Sequence, residues 1–284
     1  MSSQLVYLNG EYNPLNEAKV SVLDRVYIFG DGIYEVIPAY GGKALRFEHH
    51  MQRLQNSLDA VRISNPLSNA QWLEIIIKLI AETGSQDQSI YLHITRGVAS
   101  RDHSFPNETT PTVFVMSNPL HSVDPGLLES GISAVTLDDF RWQHCNIKAI
   151  ALLPNILLRQ QAVDKGAVEA ILIRDGNMTE GAASNVFIVS NGIIKTPPKD
   201  NKLLPGITRD LVVELAQTHN MPIEETDISE EEFFAADEIW LTSSTKEVLP
   251  VTKVNQQVVG NGKPGALWQD MYQKYQDYKA TLRA

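Results

Sequence analysis

The chain has 284 residues, 43% of them hydrophobic, so it is long enough to bury a full core in one large domain or two smaller ones. Its formal net charge of −10 disfavours nucleic acid and anionic membranes as partners, and no apolar run is long enough to span a bilayer. The single cysteine, Cys145, excludes an intrachain disulfide, and the segment Met1-Ser2-Ser3-Gln4 lacks the basic and apolar regions of an export signal, so a cytoplasmic protein is expected.

The first part of the chain is predicted to be rich in strands and then helical. Hydrophobic residues around turn residues predict β-hairpins, and apolar residues at helical spacing predict helices, the second of which ends at Gly84. The predicted elements are hairpins at Asn9-Gly10 and Gly41-Gly42, helices over 47–61 and 69–82, and strands over 89–95 and 112–116.

The segment from Ser117 to Gly126 has two prolines and no periodicity, which is typical of a linker between domains. We therefore predict a smaller N-terminal α/β domain over 1–118, a linker over 119–126 and a larger C-terminal domain over 127–284. No internal repeat or low-complexity segment indicates a further division.

The second part of the chain is predicted to mix strands and helices. Proline at the start and glycine past the end support a helix from Pro154 to Lys165. The other predicted elements are strands over 131–137 and 238–241, hairpins at Asp175-Gly176 and Asn191-Gly192, and helices over 208–218 and 264–280.

Three motifs follow one another in this second part and supply an amine, a carboxylate and a glycine turn that opens a helix. They are Asp139-Phe140-Arg141-Trp142-Gln143-His144-Cys145-Asn146-Ile147-Lys148, Thr179-Glu180-Gly181-Ala182-Ala183-Ser184-Asn185 and Leu204-Pro205-Gly206-Ile207-Thr208-Arg209. The amine can form an imine with an aldehyde, the carboxylate can keep a pyridine nitrogen protonated, and the helix start can bind a phosphate. The ordered set predicts a site for a phosphorylated aldehyde cofactor.

With these motifs the chain resembles the fold-type IV pyridoxal-phosphate enzymes, which include D-amino-acid transaminases, branched-chain transaminases and aminodeoxychorismate lyases. The resemblance runs almost end to end and is closest to the D-amino-acid transaminases. It is carried by Arg25-Val26-Tyr27-Ile28-Phe29-Gly30-Asp31-Gly32-Ile33-Tyr34-Glu35, Thr95-Arg96-Gly97-Val98-Ala99-Ser100-Arg101-Asp102-His103 and Thr242-Ser243-Ser244-Thr245. It implies a two-domain mixed α/β (α+β) fold, a cofactor-binding C-terminal domain, pyridoxal 5'-phosphate at the domain interface, and a homodimer.

Lys148 is the candidate for the amine, because it ends a strand-like stretch and precedes the apolar run over 149–153. Such a lysine holds the cofactor and then shuttles a proton between the substrate α carbon and the cofactor. Other lysines fit this role less well, because they lie in a polar loop or near predicted helix ends: Lys195, Lys199, Lys202, Lys165 and Lys279. The resemblance implies that Lys148 is the imine lysine, while nearby Cys145 is interpreted as a small, semi-buried residue.

Glu180 is the candidate partner of the pyridine nitrogen, at the tip of a short predicted strand before Gly181. From position alone, a surface glutamate after a hairpin is the alternative. The resemblance implies the cofactor role, because the family places its pyridine-binding glutamate in this motif.

The phosphate is expected at the start of the helix that begins at Gly206, where Ile207 and Thr208 present free N–H groups and Thr208 adds a hydroxyl. Further hydroxyls come from Ser243 and Ser244, and a further cation from Arg53. Position alone leaves Arg53 open as a surface arginine that lays its stem on apolar neighbours. The resemblance implies a phosphate contact, because the family's arginine lies in the same His-x-x-Arg-Leu context, here His50-Met51-Gln52-Arg53-Leu54.

The substrate carboxylate is expected to meet Arg101, His103 and Tyr34. Arg101 and His103 alternate, so in an extended loop they project to the same side, and a guanidinium can pair with a carboxylate through two parallel N–H bonds. A plain charged loop is the alternative. The resemblance implies that these three residues form the carboxylate trap of a D-amino-acid transaminase. The histidines are not spaced as a metal site, so no metal is expected.

Together these features predict a cytoplasmic D-amino-acid transaminase with a ping-pong cycle. A D-amino acid such as D-alanine gives its amino group to the cofactor, and a 2-oxo acid such as 2-oxoglutarate takes it, leaving as D-glutamate. A branched-chain L-amino-acid or (R)-amine transaminase of the same fold is the alternative. Aminodeoxychorismate lyase, against which Arg101 and His103 argue, and a non-catalytic cofactor-binding protein, against which Lys148, Glu180 and Tyr34 argue, are more distant ones.

Overall fold

The computed structural model describes residues 4–283, so most of the segment on which the expected absence of an export signal depends lies outside the described residues. The described residues form two units: one comprises 4–121, 147–151 and 281–283, and the other comprises 122–146 and 152–280. Within 4–283, no helix is both long enough and apolar enough to cross a membrane.

The first unit is built on an antiparallel sheet of six strands. The strands are β1 (Leu5–Leu8), β2 (Glu11–Pro14), β3 (Gly32–Tyr40), β4 (Lys43–Ala44), β5 (Asp87–Thr95) and β6 (Thr112–Pro119), in the spatial order β2-β1-β6-β5-β3-β4. The helices of this unit are α1 (Arg25–Phe29), α2 (Phe47–Val61) and α3 (Asn69–Thr83).

The core of the first unit lies between the sheet and the helices α2 and α3. Because side chains alternate along a strand, Ile33 and Ile37 of β3 face this core together with Glu35, whereas Tyr34 projects to the other face. Each fully buried Leu or Ile side chain contributes roughly 1.5–3 kcal/mol. Glu35 is therefore a carboxylate on an apolar face, and it requires partners there.

The second unit is built on a mixed sheet of ten strands. The strands are β7 (Ile132–Asp138), β8 (Glu169–Arg174), β9 (Asn177–Gly181), β10 (Asn185–Ser190), β11 (Ile193–Thr196), β12 (Ile223–Glu225), β13 (Ile228–Ser229), β14 (Glu238–Ser243), β15 (Glu247–Val254) and β16 (Gln257–Val258). The spatial order is β12-β11-β10-β14-β15-β7-β8-β9-β13, and β16 pairs with β15. The remaining helices are α4 (Pro125–Ser130), α5 (Leu153–Asp164), α6 (Ile207–Thr218), α7 (Glu230–Phe234) and α8 (Ala266–Arg283), whose last residues are grouped with the first unit.

At β8, both faces of this second sheet carry apolar side chains. In β8, Ile171 and Ile173 belong to one core cluster, while Ala170 and Leu172 belong to another that includes Leu158 of α5. This explains the continuous apolar run of β8, which is typical of a strand buried on both faces.

The predicted mixed α/β fold is confirmed, and every predicted helix and hairpin is present within three residues of its predicted bounds. The structure adds short elements and one long strand that the patterns did not reveal. The long strand is β15. Its Pro250 has no N–H to donate to a neighbouring strand, and a proline in a sequence argues against a central strand. The helices α1 and α7 have only five residues each, too few for a period to be read.

The predicted linker over 119–126 and the domain bounds stay predictions, although the ends of the aperiodic segment belong to regular elements. Strand β6 extends through Pro119, and α4 begins at Pro125, where the first turn of a helix tolerates proline.

Candidate functional site

Lys148 lies in an irregular segment that runs along the start of β3. The strand-like stretch predicted before it is wrong: β7 ends at Asp138, and the strand pairing described near Lys148 is an isolated bridge between Ile33 and Ala149. The backbone of Lys148 is held on both sides, because its N–H donates to Ser57 Oγ at 3.3 Å and its carbonyl accepts from Tyr34 N at 2.9 Å. Tertiary contacts, rather than a strand, therefore position this lysine.

The close approach of this segment to β3 depends on Gly32. A Cβ at residue 32 would lie 2.7 Å from the carbonyl oxygen of Ile94 and 2.8 Å from Ile150 Cδ1, so a side chain there would displace the strand or the lysine segment. The carbonyl of Gly32 accepts from Ile150 N at 3.0 Å. Gly32 thus allows the contact that fixes the backbone beside Lys148.

The Lys148 amine lies over the ring of Tyr34, with Nζ 4.2 Å from the ring centroid. Both side chains are half-buried. Within its own unit, Lys148 forms no ion pair with any described residue. Four of the rival lysines differ, since each pairs with a carboxylate: Lys195 with Glu232 and Glu224, Lys199 with Asp210, Lys202 with Asp200, and Lys279 with Glu247.

Arg53 is buried, so its alternative interpretation as a surface arginine is wrong. Its Nε and Nη2 each donate to Glu35 at 2.7 Å, and Nδ1 of His50 is 2.8 Å from the same carboxylate. Arg53 and His50, despite burial, hold the pKa of Glu35 well below its usual range. Burial lowers the pKa of His50, so this ring stays neutral at pH 7. The triad fixes the guanidinium of Arg53 on the core side of β3.

Arg101 and His103 are exposed and lie around one aromatic ring, Phe29. The guanidinium carbon of Arg101 is 5.6 Å from the centroid of that ring, and the His103 ring is 5.4 Å from it. Arg25 holds the loop between them by donating Nη1 to the carbonyl of Asp102 at 2.7 Å. The structure thus brings Arg101 and His103 to one aromatic ring, and their role as a pair toward a substrate carboxylate stays a prediction.

Glu180 is buried in the second unit, so its interpretation as a surface glutamate is wrong. Its Oε1 accepts from Arg141 Nη1 at 2.5 Å, and its Oε2 accepts from Leu204 N at 3.0 Å and from Asn185 Nδ2 at 3.2 Å. Burial raises the pKa of Glu180 to about 7, against the opposing effect of Arg141 and the Leu204 N–H. This carboxylate therefore changes charge near neutral pH, and a cation placed beside it would favour the charged form.

The start of α6 has free N–H groups that suit an anion. Gly206 is the residue before the helix, and no side chain caps the first N–H groups at Ile207 and Thr208, both of which are buried. A Cβ at residue 206 would lie 2.0 Å from Oδ1 of Asn185, so a side chain there would displace the Asn185 amide that also donates to Glu180 and to the carbonyl of Leu204. Uncapped, buried N–H groups at the start of a helix fit a phosphate.

Hydroxyl groups at the end of β14 add to this donor set. Oγ1 of Thr242 is buried and has no hydrogen-bond partner among the described residues. Ser243 ends the strand, its Oγ accepts from Lys246 N at 3.2 Å, and Ser244 follows half-buried. The carboxylate of Glu180, the start of α6 and the Thr242 hydroxyl together fit a cofactor that carries both a basic ring nitrogen and a phosphate.

Arg141 and Glu35 contact predicted site residues and were not singled out by the sequence. Arg141 lies inside the first motif, but nothing in a linear sequence links it to Glu180, 39 residues away. A signal for Glu35 does exist in α2, where His50, Arg53 and Ser57 recur at helical spacing on a face that also carries buried apolar residues. Polar residues on a buried helix face predict a buried polar partner.

Comparisons with known proteins agree with this arrangement. The model of the amino-transferase class IV family matches residues 32–254. The D-alanine aminotransferase of Bacillus licheniformis is 38% identical over 262 residues, which is 92% of this chain and 92% of that protein. Both confirm the family resemblance that the motifs predicted.

Two solved structures show the same fold. The branched-chain amino acid aminotransferase from Escherichia coli has a TM-score of 0.87 at 27% identity, over 96% of this chain and 92% of that chain. The branched-chain amino acid aminotransferase from T.th., solved with pyridoxamine 5'-phosphate, has a TM-score of 0.92 at 23% identity, over 99% and 96%. With a family model that spans residues 32–254 and a relative similar over nearly its whole length, the chain belongs to the amino-transferase class IV family.

Proposed function

We propose that this chain is a D-amino-acid transaminase that uses pyridoxal 5'-phosphate to transfer the amino group of a D-amino acid, such as D-alanine, to a 2-oxo acid, such as 2-oxoglutarate. The observation that carries the proposal is the placement of the Lys148 amine 4.2 Å from the centroid of the Tyr34 ring. It holds a base for the α-hydrogen beside a hydroxyl-bearing ring suited to the substrate carboxylate. Similarity to the D-alanine aminotransferase of Bacillus licheniformis supports the choice of substrate.

The cofactor is assigned to residues whose chemistry suits each of its groups. Bound pyridoxal 5'-phosphate supplies an aldehyde that takes up the amino group and a ring that withdraws electrons from the α carbon. Lys148 is assigned to the aldehyde and Glu180 to the ring nitrogen. The phosphate is assigned to the start of α6 at Ile207 and Thr208, with further donors from Ser243, Ser244 and Arg53. The structural neighbour solved with pyridoxamine 5'-phosphate supports this class of cofactor.

Lys148 acts as the proton carrier in this proposal. Its amine removes the α-hydrogen of the bound amino acid as a proton and returns a proton in the reverse direction for the incoming oxo acid. Because the backbone N–H and carbonyl of Lys148 are both hydrogen-bonded, the side chain swings from a fixed point. A fixed base serves one face of the substrate, so the side on which the carboxylate is held decides which enantiomer reacts.

The carboxylate is assigned to Arg101, His103 and Tyr34, and this assignment predicts D-specificity. Arg101 and His103 surround Phe29, which supports a common target for the two side chains. Mixing the holoenzyme with D-alanine should convert the cofactor from its aldehyde form to its amino form. This conversion is followed as loss of the absorbance of the aldehyde form, and L-alanine should leave the spectrum unchanged. Faster reaction with L-leucine than with D-alanine would favour the branched-chain alternative, to which the similarity of the Escherichia coli structure draws attention.

Replacing Arg101 by leucine tests the proposed contact between Arg101 and the substrate carboxylate. A bidentate, charge-assisted contact contributes on the order of 2–3 kcal/mol, so Arg101→Leu should lower kcat/KM by roughly 30- to 150-fold. The loss should be similar for D-alanine and 2-oxoglutarate, because both half-reactions use one carboxylate site. An (R)-amine that lacks a carboxylate is the control and should lose far less. Equal losses for the amine and D-alanine would mean that Arg101 holds its loop and does not bind substrate.

A homodimer and a cytoplasmic location complete the proposal. Helix α5 carries four exposed, large apolar side chains, which supports an interface there: Leu153, Ile156, Leu157 and Val163. Light scattering should give twice the chain mass of 31.6 kDa, and Ile156→Glu should shift the mass toward that of one chain. An unchanged dimer in that variant would remove α5 from the interface.

A further inference from the structure

Four charged side chains of the second unit form a buried chain of contacts that ends on Glu180. In order they are Arg174, Asp139, Arg141 and Glu180, so cations and anions alternate. Arg174 Nη2 lies 2.9 Å from Asp139 Oδ2, Asp139 accepts two bonds from Arg141 at 2.8 Å, and Arg141 Nη1 lies 2.5 Å from Glu180 Oε1. The Asp139 side chain is fully buried, with 0% exposed. With all four ionised, two cations balance two anions.

Asp139 binds the Nε and Nη2 edge of the Arg141 guanidinium, which leaves Nη1 for Glu180. Its Oδ1 accepts from Nε and its Oδ2 from Nη2, which is the forked geometry of a bidentate arginine–carboxylate pair. Nη2 also lies 3.3 Å from the carbonyl of Lys202. Nη1 is the nitrogen directed at Glu180, so that pair rests on a single N–H bond. Without Asp139, the guanidinium could turn the forked edge toward Glu180 instead.

Asp139 itself is held in one place and in one charge state. Thr179 Oγ1 and the backbone N–H of Arg141 also donate to it, at 3.2 Å and 3.1 Å. Although burial opposes the charge, Arg141 and Arg174 hold the pKa of Asp139 below its ordinary value, so it is an anion at neutral pH. Burial raises the pKa of Cys145, a titratable group beside this cluster, and its thiol adds no charge. Asp139 is therefore the permanent counter-charge of Arg141.

We propose that Asp139 is a positioning residue for transamination: it holds the forked edge of Arg141 and balances the charge of that cation, so that Arg141 does not offset the negative field that Glu180 presents to the pyridine nitrogen. The inference rests on the proposed role of Glu180 toward that nitrogen. Asp139 acts through Arg141 and Glu180. The Asp139 charge also raises the pKa of Glu180, alongside the larger effect of burial, which makes this carboxylate a stronger proton acceptor.

The test is a titration of Glu180 in the apoprotein, which needs neither cofactor nor substrate. Protein labelled with carbon-13 at the glutamate carboxyl groups is followed by NMR over pH, and Glu180→Gln identifies the resonance. Asp139→Asn keeps the size of the side chain but removes its charge, and it should lower the pKa of Glu180 by about one unit, because a nearby anion is lost. Arg174→Gln removes a cation from the same cluster and should raise that pKa. The double variant restores the charge balance and should titrate close to the unmutated protein.

Opposite shifts in the two single variants distinguish charge positioning from loosened packing, which would move both in one direction. Shifts of the same sign, or no shift in Asp139→Asn, would overturn the proposal. Should Asp139→Asn fail to fold, Arg174→Gln decides alone: a raised pKa supports the role and an unchanged or lowered one refutes it. In the holoenzyme, a nitrogen-15 label in the cofactor ring measures the fraction of ring nitrogen that is protonated. That fraction should be smaller in Asp139→Asn than in the unmutated enzyme, and an equal fraction would refute the influence of Asp139 on the ring nitrogen.

Failure of the proposed function would appear separately, as no turnover of D-alanine by the unmutated enzyme.

Discussion

Replacing Lys148 by alanine should abolish steady-state transamination while the protein still folds. The variant loses the amine to which we assign the proton transfer, and a positioned acid–base group contributes roughly 10²- to 10⁴-fold to a rate. Folding should survive, because the hydrogen bonds that hold this segment come from the backbone of residue 148 to Ser57 and Tyr34, not from its side chain. Rates with D-alanine and 2-oxoglutarate, together with a thermal unfolding curve, measure both expectations.

Two further measurements connect this loss to the amine itself. Borohydride reduction of the unmutated holoenzyme, followed by peptide mapping, should place the cofactor on Lys148, and a label on any other lysine would overturn the assignment. An added small amine should restore part of the turnover of Lys148→Ala, which no loss of packing would allow. The matched control is Lys199→Ala, because Lys199 is an exposed lysine paired with Asp210, and it should retain turnover.

Replacing Glu180 by glutamine should leave the cofactor bound but slow the proton-transfer step, by an amount on the order of 10²-fold. The change keeps the shape and removes the charge that favours a protonated ring nitrogen, so the ring withdraws electrons less strongly. Binding should persist because the start of α6, to which the phosphate is assigned, is unchanged. Single-turnover spectra with D-alanine separate the two effects, since the amplitude reports bound cofactor and the rate reports proton transfer.

A second buried glutamate provides the control for this variant. Glu169 is equally buried in the same unit, where it accepts from Ser184 Oγ at 3.2 Å and from Ala170 N at 3.0 Å. Glu169→Gln should keep the proton-transfer rate within a few-fold of the unmutated enzyme, because no cofactor group is assigned to it. A wild-type rate in Glu180→Gln would show that Glu180 is not the partner of the ring nitrogen.

Local patterns were sufficient to predict most of the regular elements. The helix α2 was predicted over 47–61 and is found over Phe47–Val61, because Met51, Leu54 and Leu58 recur with the period of a helix and are all buried. The hairpins follow from turn residues such as Asn9-Gly10, since glycine and asparagine tolerate a positive φ there. Helical periodicity and turn residues depend on neighbours in the chain, and they can therefore be recognised before the fold is known.

Residue order singled out Lys148, Glu180 and the start of α6 as candidates, because an amine, a carboxylate and a glycine before a helix each have a recognisable chemistry. It could not reveal their surroundings. Lys148 is held by Tyr34 and Ser57, 114 and 91 residues away in the chain, and Glu180 by Arg141. Periodicity indicates which side chains are buried, but the partners of a buried charge depend on strand register and on how distant segments pack. For that reason the Glu35–Arg53–His50 triad and the chain from Arg174 to Glu180 become visible only in the tertiary structure, although the polar residues on the buried face of α2 indicate a buried polar partner.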